Sequence, residues 1–528
     1  MTTAGRAELR TIAEAARSER ARAQDAPFLS VTRATDHDRT KGSVACRLST
    51  DSADHFVEWT FTRGTLVVRN DAFGLIPLFV YTRGDKIAVS PSLQKLLCEG
   101  ADAELDEAAL AVFLRLGFFV GEDTPFRHIR ALPPGAVLVW RDGMLEMRQG
   151  GSYVVPRRTV TRDQAIDQAL ALTRQAVGRR MPTDDNVAVP LSGGRDSRHL
   201  LLELVHRGCR PRFAVTVPRY PPNAGEDQRL APAVAAAVGI PHAIAIPTDR
   251  PAVAEARKNV ETNFCADEHA WFYGMLDYMR GRAPTVYEGI GGSLWKVGWL
   301  PQRDVREAWA AGRTEQVAER ALEKHQQQPI ADAVIDDLAP PGVDFSRDLA
   351  RQRLAQELER HAAAPDPGKS FHFWNRLRRE LALVPCVMMR SFAAVHTPLV
   401  DRDLTEFLLS LEPEIVSPVL SRSDKRFHSE AIVRGYPSFA HVSFEAEAPR
   451  RSDPSAHYRQ FALDVARHLL AHSTDRSHGQ PRPFRWLRSS YVFPRLAYML
   501  VNRRYAASMR WLPRAALYLR QLEQATER

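Results

Sequence analysis

The chain has 528 residues, 44% hydrophobic and 26% charged, a globular composition that excludes a largely disordered protein. At roughly 100–200 residues per domain it is long enough for two to four units. The most apolar stretch, Ala231 to Pro247, is cut by Pro232, Pro241 and His242, which excludes a transmembrane helix, and the first 25 residues alternate Arg and Glu among alanines, unlike a secretory signal, so the expected compartment is cytoplasmic.

Residues 1–25 read as a polar helical arm without a strong apolar face. A β-rich stretch follows, with strands expected over Phe56–Phe61, Thr65–Val68 and Leu78–Tyr81, and turns at Arg63-Gly64 and Arg83-Gly84-Asp85 between them. Glu107–Leu116 is helical in pattern, and Gly135–Trp140 reads as a strand after Pro133-Pro134. This is an α+β domain over about 150 residues. From Asp163 the pattern changes to a helix over Gln164–Arg179, a strand over Asn186–Leu191, a Gly-rich turn, a helix over Ser197–Arg207 and a strand over Arg212–Val217. That order is a βαβ unit of an α/β domain with a parallel sheet. A helix over Asp227–Val238, a strand over Ala243–Ile246 and a strand end at Val286–Gly292 continue it, and the chain is mostly helical after Gly298.

The five cysteines are far apart and form no CxxC pair, so neither a disulfide framework nor a structural zinc site is expected. The net charge of +9 is local. From Arg476 onward there are eleven arginines and two acids, and the rest of the chain is balanced. Trp486, Tyr491, Phe493, Tyr498, Tyr505, Trp511 and Tyr518 interleave with these arginines. Basic and aromatic residues together suit nucleic acid or another anionic partner. The plainer reading is a terminal helical pair that packs its rings on the body.

The segment that carries chemistry is Ser192-Gly193-Gly194-Arg195-Asp196-Ser197, between an apolar strand and a helix. Two glycines let backbone N–H groups approach an anion, the serines add hydroxyl donors, and the helix start points its positive end at the same space. This suits the phosphates of a nucleotide, held by Ser192, Gly193, Gly194 and Ser197. Asp196 would repel a bare phosphate, so Mg2+ is the expected bridge. The GxxxxGK[ST] spacing of a P-loop is absent.

This hexapeptide resembles the pyrophosphate loop of the ATP-pyrophosphatase superfamily. Further segments resemble the asparagine synthetase family in the correct order: Asp71-Ala72-Phe73-Gly74-Leu75-Ile76-Pro77-Leu78-Phe79, Ser90–Leu97, Thr124–Ile129 with Leu132-Pro133-Pro134-Gly135, Glu226-Asp227 with Ala231, Thr397–Asp401, and Lys425 in Ser423–Phe427. The resemblance covers roughly residues 60–440. Together with the basic, aromatic composition of the C-terminal end, it implies domains at 26–155 (a degenerate glutaminase-like domain, the remnant of an Ntn-hydrolase sandwich), 156–445 (ATP-binding) and 446–528 (a basic helical tail). It implies ATP-dependent activation of a small-molecule or peptide carboxylate as an acyl-adenylate, then attack by an amine or ammonia. Backbone at Thr216 and Val217 would meet adenine, Gly289, Gly291 and Gly292 would line the nucleotide site, and Lys425 would be catalytic, stabilising charge at the α-phosphate.

Three departures bear on function. The family's glutaminase nucleophile is Cys at position 2, where this chain has Thr2, so glutamine hydrolysis is not expected. Ser293 and Leu294 replace the family's Asp and Glu after Gly289-Ile290-Gly291-Gly292; Glu288 is the expected substitute metal ligand, with Asp267 or Glu268 as alternatives. Ala394 and His396 stand where the family often has Glu and Arg, which argues against β-lactam synthesis. The expectation is a ligase of the lasso-peptide-cyclase or asparagine-forming kind. The alternatives are an impaired ATP-binding pseudoenzyme and a tRNA-modifying relative.

Overall fold

The computed structural model describes residues 25–33, 39–50, 54–149, 153–219, 225–266, 268–324, 332–445, 453–471 and 487–526. The expected arm at residues 1–25, except Asp25, lies outside these, as do Thr2, Asp267 and Trp486.

The N-terminal part holds β1 (Leu29–Thr32), β2 (Arg39–Gly42), β3 (Ala45–Ser49), β4 (Phe56–Thr62), β5 (Thr65–Asn70), β6 (Phe79–Arg83), β7 (Lys86–Ser90), α1 (Leu93–Cys98), α2 (Glu107–Leu116), β8 (Ile129–Ala131), β9 (Ala136–Arg141) and β10 (Met144–Gln149). They form two antiparallel sheets, ordered β2-β1-β7-β6-β8 and β10-β9-β5-β4-β3. Side chains alternate faces along a strand, so each sheet sends every second residue inward. Leu29, Val31, Ile87 and Val89 of the first sheet meet Trp59, Leu66, Val68, Leu138 and Trp140 of the second in one buried core. Phe79, Tyr81 and Ala88, on the far side of the first sheet, pack under α1 and α2. The Asp71–Gly74 turn is structural: the Asp71 carboxylate accepts from the N–H groups of Phe56, Phe73 and Gly74 at 3.0–3.1 Å.

The second part begins with α3 (Arg162–Gly178), fixed by a capping box between Thr161 and Gln164. Then come β11 (Val187–Pro190), α4 (Asp196–His206), β12 (Phe213–Thr216), α5 (Glu226–Ala237), β13 (His242–Ile244), α6 (Pro251–Glu261), α7 (Tyr273–Met279) and β14 (Thr285–Tyr287). Helices fill most of the stretch from Arg303 to Leu383, ending in α8 (Arg378–Leu383), before β15 (Ala394–His396) completes the sheet and α9 (Arg426–Gly435) follows. The sheet order is β13-β12-β11-β14-β15, with every pairing parallel. The expected βαβ alternation is therefore present, and α4 starts one residue earlier than its sequence pattern suggests.

The two parts are joined by buried polar contacts. Asn375 accepts from the Gly121 N–H at 2.6 Å, and Arg379 donates to the carbonyls of Gly121 and Asp123. Beyond Arg476 the described tail packs most of its rings on the body, but as three helices (Ser489–Val501, Arg503–Ser508 and Leu512–Thr526) rather than a pair, and with Tyr498 exposed. Tyr518 is buried against Phe113, ring centroids 4.8 Å apart, and its hydroxyl donates to the Phe264 carbonyl. Tyr491, Phe493, Tyr505 and Trp511 lie partly buried against the same core. Among the described residues no helix is long and apolar enough to cross a membrane.

Candidate active site

In a parallel sheet of this order the chain runs from β11 outward through β12 to β13, then crosses back to β14 on the other side of β11. The connections therefore part between the carboxyl ends of β11 and β14, where α/β sheets bind ligands. A cleft of about 740 Å³, counting the solvent at its mouth, opens there. Ser192, Asp196 and Ser197 line it from the β11 side, Thr216 and Val217 from β12, and Glu288 and Gly289 from β14. Trp271, Phe272, Met275, His269 and Glu380 also line it, together with Arg219, Asp227 and Ile290.

The loop after β11 is pinned from within. The Ser192 N–H donates to Ser197 Oγ at 3.0 Å, the Gly194 N–H to Ser192 Oγ at 3.2 Å, and the Gly193 N–H to Asp227 Oδ1 at 2.9 Å. Asp227 is held in turn by Arg219 at 2.9 Å. No side chain caps α4, so its first N–H groups are left for another acceptor. Gly193, Gly194, Gly291 and Gly292 are not among the residues that line the cleft. A Cβ on Gly292 would lie 1.8 Å from the Asp196 carboxylate, and one on Gly289 would lie 2.8 Å from the Ser197 backbone. The two glycine motifs are thus one contact: the β14 glycines make room for the start of α4.

Asp196 keeps 38% of its side chain open and stands 3.3 Å from His428 Nδ1. Burial raises its carboxyl, but His428, Lys296 and Lys425 together outweigh this and hold it below the usual range. His428 lies flat on Trp295, centroids 4.2 Å apart, and its Nε2 meets His199 Nδ1 at 3.0 Å. Burial and the His428 neighbour keep His199 well below its ordinary pKa. Arg198 and His199 are both buried, and Arg198 donates to the carbonyls of Val442 and Ser443.

Glu288 is 4% exposed. Its Oε1 accepts from the Ile290 N–H at 3.1 Å, while its Oε2 is buried without a hydrogen-bond partner. Burial pushes its carboxyl up to about 8, with Glu380 and Asp196 adding to the rise against two backbone N–H groups. An orphaned carboxylate oxygen beside Asp196 suits a hard cation, which takes one or two carboxylates together with substrate phosphates. Mg2+ held by Asp196 and Glu288 therefore fits the residues present. Glu268 does not join them, since Arg376 holds its carboxylate at 2.6 Å.

Thr216 reaches the cleft with its hydroxyl committed to the Leu191 carbonyl at 2.7 Å and its own carbonyl to the Ala245 N–H. Val217 is buried at the cleft wall. Lys425 sits outside the cleft lining, its ammonium paired with Glu445. Glu445 also approaches Arg195 at 3.8 Å, and its N–H donates to the Gly193 carbonyl at 3.2 Å. Sequence reasoning passed over Lys296, His428, His269 and Glu380. Only His428 carried a local signal, lying three residues beyond Lys425.

Comparison with known proteins agrees with this geometry. A family model described as asparagine synthase matches residues 168–438, just over half the chain and all of the parallel sheet. A glutamine amidotransferase domain model matches residues 51–150. The chain belongs to the asparagine synthase family.

Proteins of Mycobacterium bovis and Mycobacterium tuberculosis, named as glutamine-hydrolyzing asparagine synthetases, are 28% identical over 197 residues. That match spans 35% of this chain and only 30% of the length of those relatives. A solved glutamine phosphoribosylpyrophosphate amidotransferase from B. subtilis aligns over 52% of this chain and 46% of its own, at 11% identity and a TM-score of 0.14, and carries no argument about the fold.

Within this asparagine synthase-family chain, Ser293 does not line the cleft. Its hydroxyl is buried without a hydrogen-bond partner and lines a small neighbouring cavity with Lys369, His372 and Arg422. His396 packs on Tyr287, centroids 4.8 Å apart, and its carbonyl accepts the Glu288 N–H.

Proposed function

We propose that this protein is an ATP-dependent amide-forming ligase that activates a carboxylate by adenylation, releases pyrophosphate, and passes the acyl group to an amine or ammonia without hydrolysing glutamine. The observation that carries the reading is the meeting of Asp196, Glu288 and the uncapped start of α4 in one cleft at the sheet's switch point. The N-terminal part, a two-sheet core with Thr2 in place of the family's Cys, then serves as a degenerate Ntn-type glutaminase domain that braces the synthetase half.

Each residue has a definite task. Ser192, Gly193, Gly194 and Ser197 cradle the β- and γ-phosphates with N–H and hydroxyl donors, exchanging their internal hydrogen bonds for the ligand's. Asp196 and Glu288 hold Mg2+, which supplies charge neutralisation at the departing pyrophosphate. Trp271, Phe272 and Met275, beside Thr216 and Val217, give the base an apolar wall. Lys425, once freed from Glu445, stabilises charge at the α-phosphate. The test is ATP–pyrophosphate exchange with a panel of amino-acid and peptide carboxylates. Exchange supported by one of them and lost in Asp196→Ala is the expected result; no exchange with any carboxylate refutes adenylation.

One observation favours a second reading, an ATP-binding pseudoenzyme: Ser293 lines a separate small cavity and not the cleft. Calorimetry separates the two, because a pseudoenzyme binds ATP without Mg2+ dependence or fails to bind it.

A further inference from the structure

Amide formation from an amine leaves a proton on nitrogen that must go somewhere. The family position that often carries Glu is Ala394 here, which has no titratable group. The wall of the cleft across from the loop holds a different arrangement. His269 lines the cleft with only 11% of its side chain exposed, and its Nε2 lies 2.7 Å from Glu380 Oε1. The other Glu380 oxygen lies 3.3 Å from Arg376. Burial opposes ionisation of Glu380, but His269 and Arg376 more than compensate, bringing its carboxyl to about 2. The His269 ring lies nearly parallel to Phe272, centroids 5.1 Å apart. The backbone of His269 has φ +76°, a left-handed conformation that non-glycine residues adopt uncommonly.

The consequence is a fixed tautomer. An ionised carboxylate only accepts, so Nε2 carries the hydrogen and donates it to Glu380. In the neutral ring Nδ1 then carries the lone pair, and it makes no hydrogen bond among the described residues. A cleft-lining histidine oriented through one nitrogen by a carboxylate, with its other nitrogen not hydrogen-bonded, is the arrangement of a general base.

We infer that His269 is the catalytic base of the amide-forming step, with Glu380 and Arg376 as positioning residues. The inference rests on the adenylation reading above. The amine nitrogen attacks the acyl carbon, the C–N bond forms, and the C–O bond to AMP breaks with its electron pair leaving on the phosphate oxygen. The ammonium proton passes to His269 Nδ1, and the resulting imidazolium is stabilised by Glu380 until it returns the proton to water.

Two measurements test this. The first needs no substrate: 15N shifts of His269, assigned by difference against His269→Gln, report its tautomer. An Nε2–H tautomer that is disturbed in Glu380→Gln is expected; an Nδ1–H tautomer, or no response to Glu380→Gln, overturns the assignment. The second compares half-reactions, using the carboxylate that supports exchange. His269→Ala and His269→Gln should slow amide formation from ammonia by about 10²–10⁴ while exchange falls far less. Hydroxylamine, a stronger nucleophile that is largely unprotonated at neutral pH, should still yield hydroxamate. Undiminished amide formation in either variant overturns the inference and leaves adenylation standing. Absence of exchange in the wild type removes adenylation and this inference together.

Discussion

Glu288→Gln separates what this carboxyl costs the fold from what it contributes to the site. In the folded protein Glu288 titrates near 8, against 4.5 for an ordinary glutamate. Its folded pKa is raised, so its favourable contribution is complete below pH 4.5 and is lost as the pH rises through 8. At pH 7 the folded protein holds a proton that the unfolded chain has released across 2.5 pH units, a cost of about 3 kcal/mol at ~1.36 kcal/mol per unit. Glutamine has nearly the same shape and no proton to hold. In EDTA, the urea transition of Glu288→Gln should therefore gain on that of the wild type by about 1.4 kcal/mol per pH unit between pH 5 and 8, then level off. Other titrating groups are common to both proteins and cancel in the difference. With Mg2+ and ATP the order reverses: wild-type binding releases a proton near pH 7, seen by calorimetry in buffers of different ionisation enthalpy, and the variant loses this release. A stability difference that does not change from pH 5 to 8 would refute the reasoning.

Three further substitutions probe the neighbouring contacts. Gly292→Ala places a methyl group 1.8 Å from the Asp196 carboxylate, so Mg2+-dependent ATP affinity should fall by about tenfold or more; an unchanged Kd counts against the paired-loop geometry. Glu445→Gln weakens the grip on Lys425, and ATP affinity should rise, whereas Lys425→Ala should lower the exchange rate by about 10²-fold; equal behaviour of Glu445→Gln and wild type would show that the pair does not restrain the lysine. Asp227→Ala removes the acceptor of the buried Gly193 N–H and the partner of Arg219, and should cost about 1–3 kcal/mol by denaturant unfolding, with a neutral result excluding a role for Asp227 in shaping the loop.

Much of the fold was legible along the chain because its signals are local. The helix over Glu107–Leu116 follows its apolar pattern to the residue, and β11, α4 and β12 fall within a residue or so of their sequence limits. β1 and β15 were not legible: Leu29–Thr32 and Ala394–His396 are too short for a period-two signal and are strands through their pairing, β1 with β2 and β7, β15 with β14.

The sequence by itself determined the family and the glycine-rich loop at Ser192–Ser197 between a strand and a helix. Those are properties of residue type and spacing, and they survive in a linear reading. The tertiary structure alone decided which groups share a cleft. It set Glu288 beside Asp196 with an orphaned oxygen, put Ser293 in a separate small cavity, engaged Lys425 with Glu445 and joined His269 to a glutamate 111 residues further along the chain. Ionisation and proton transfer depend on distance and burial in three dimensions, and neither is written in the order of residues along a strand or helix.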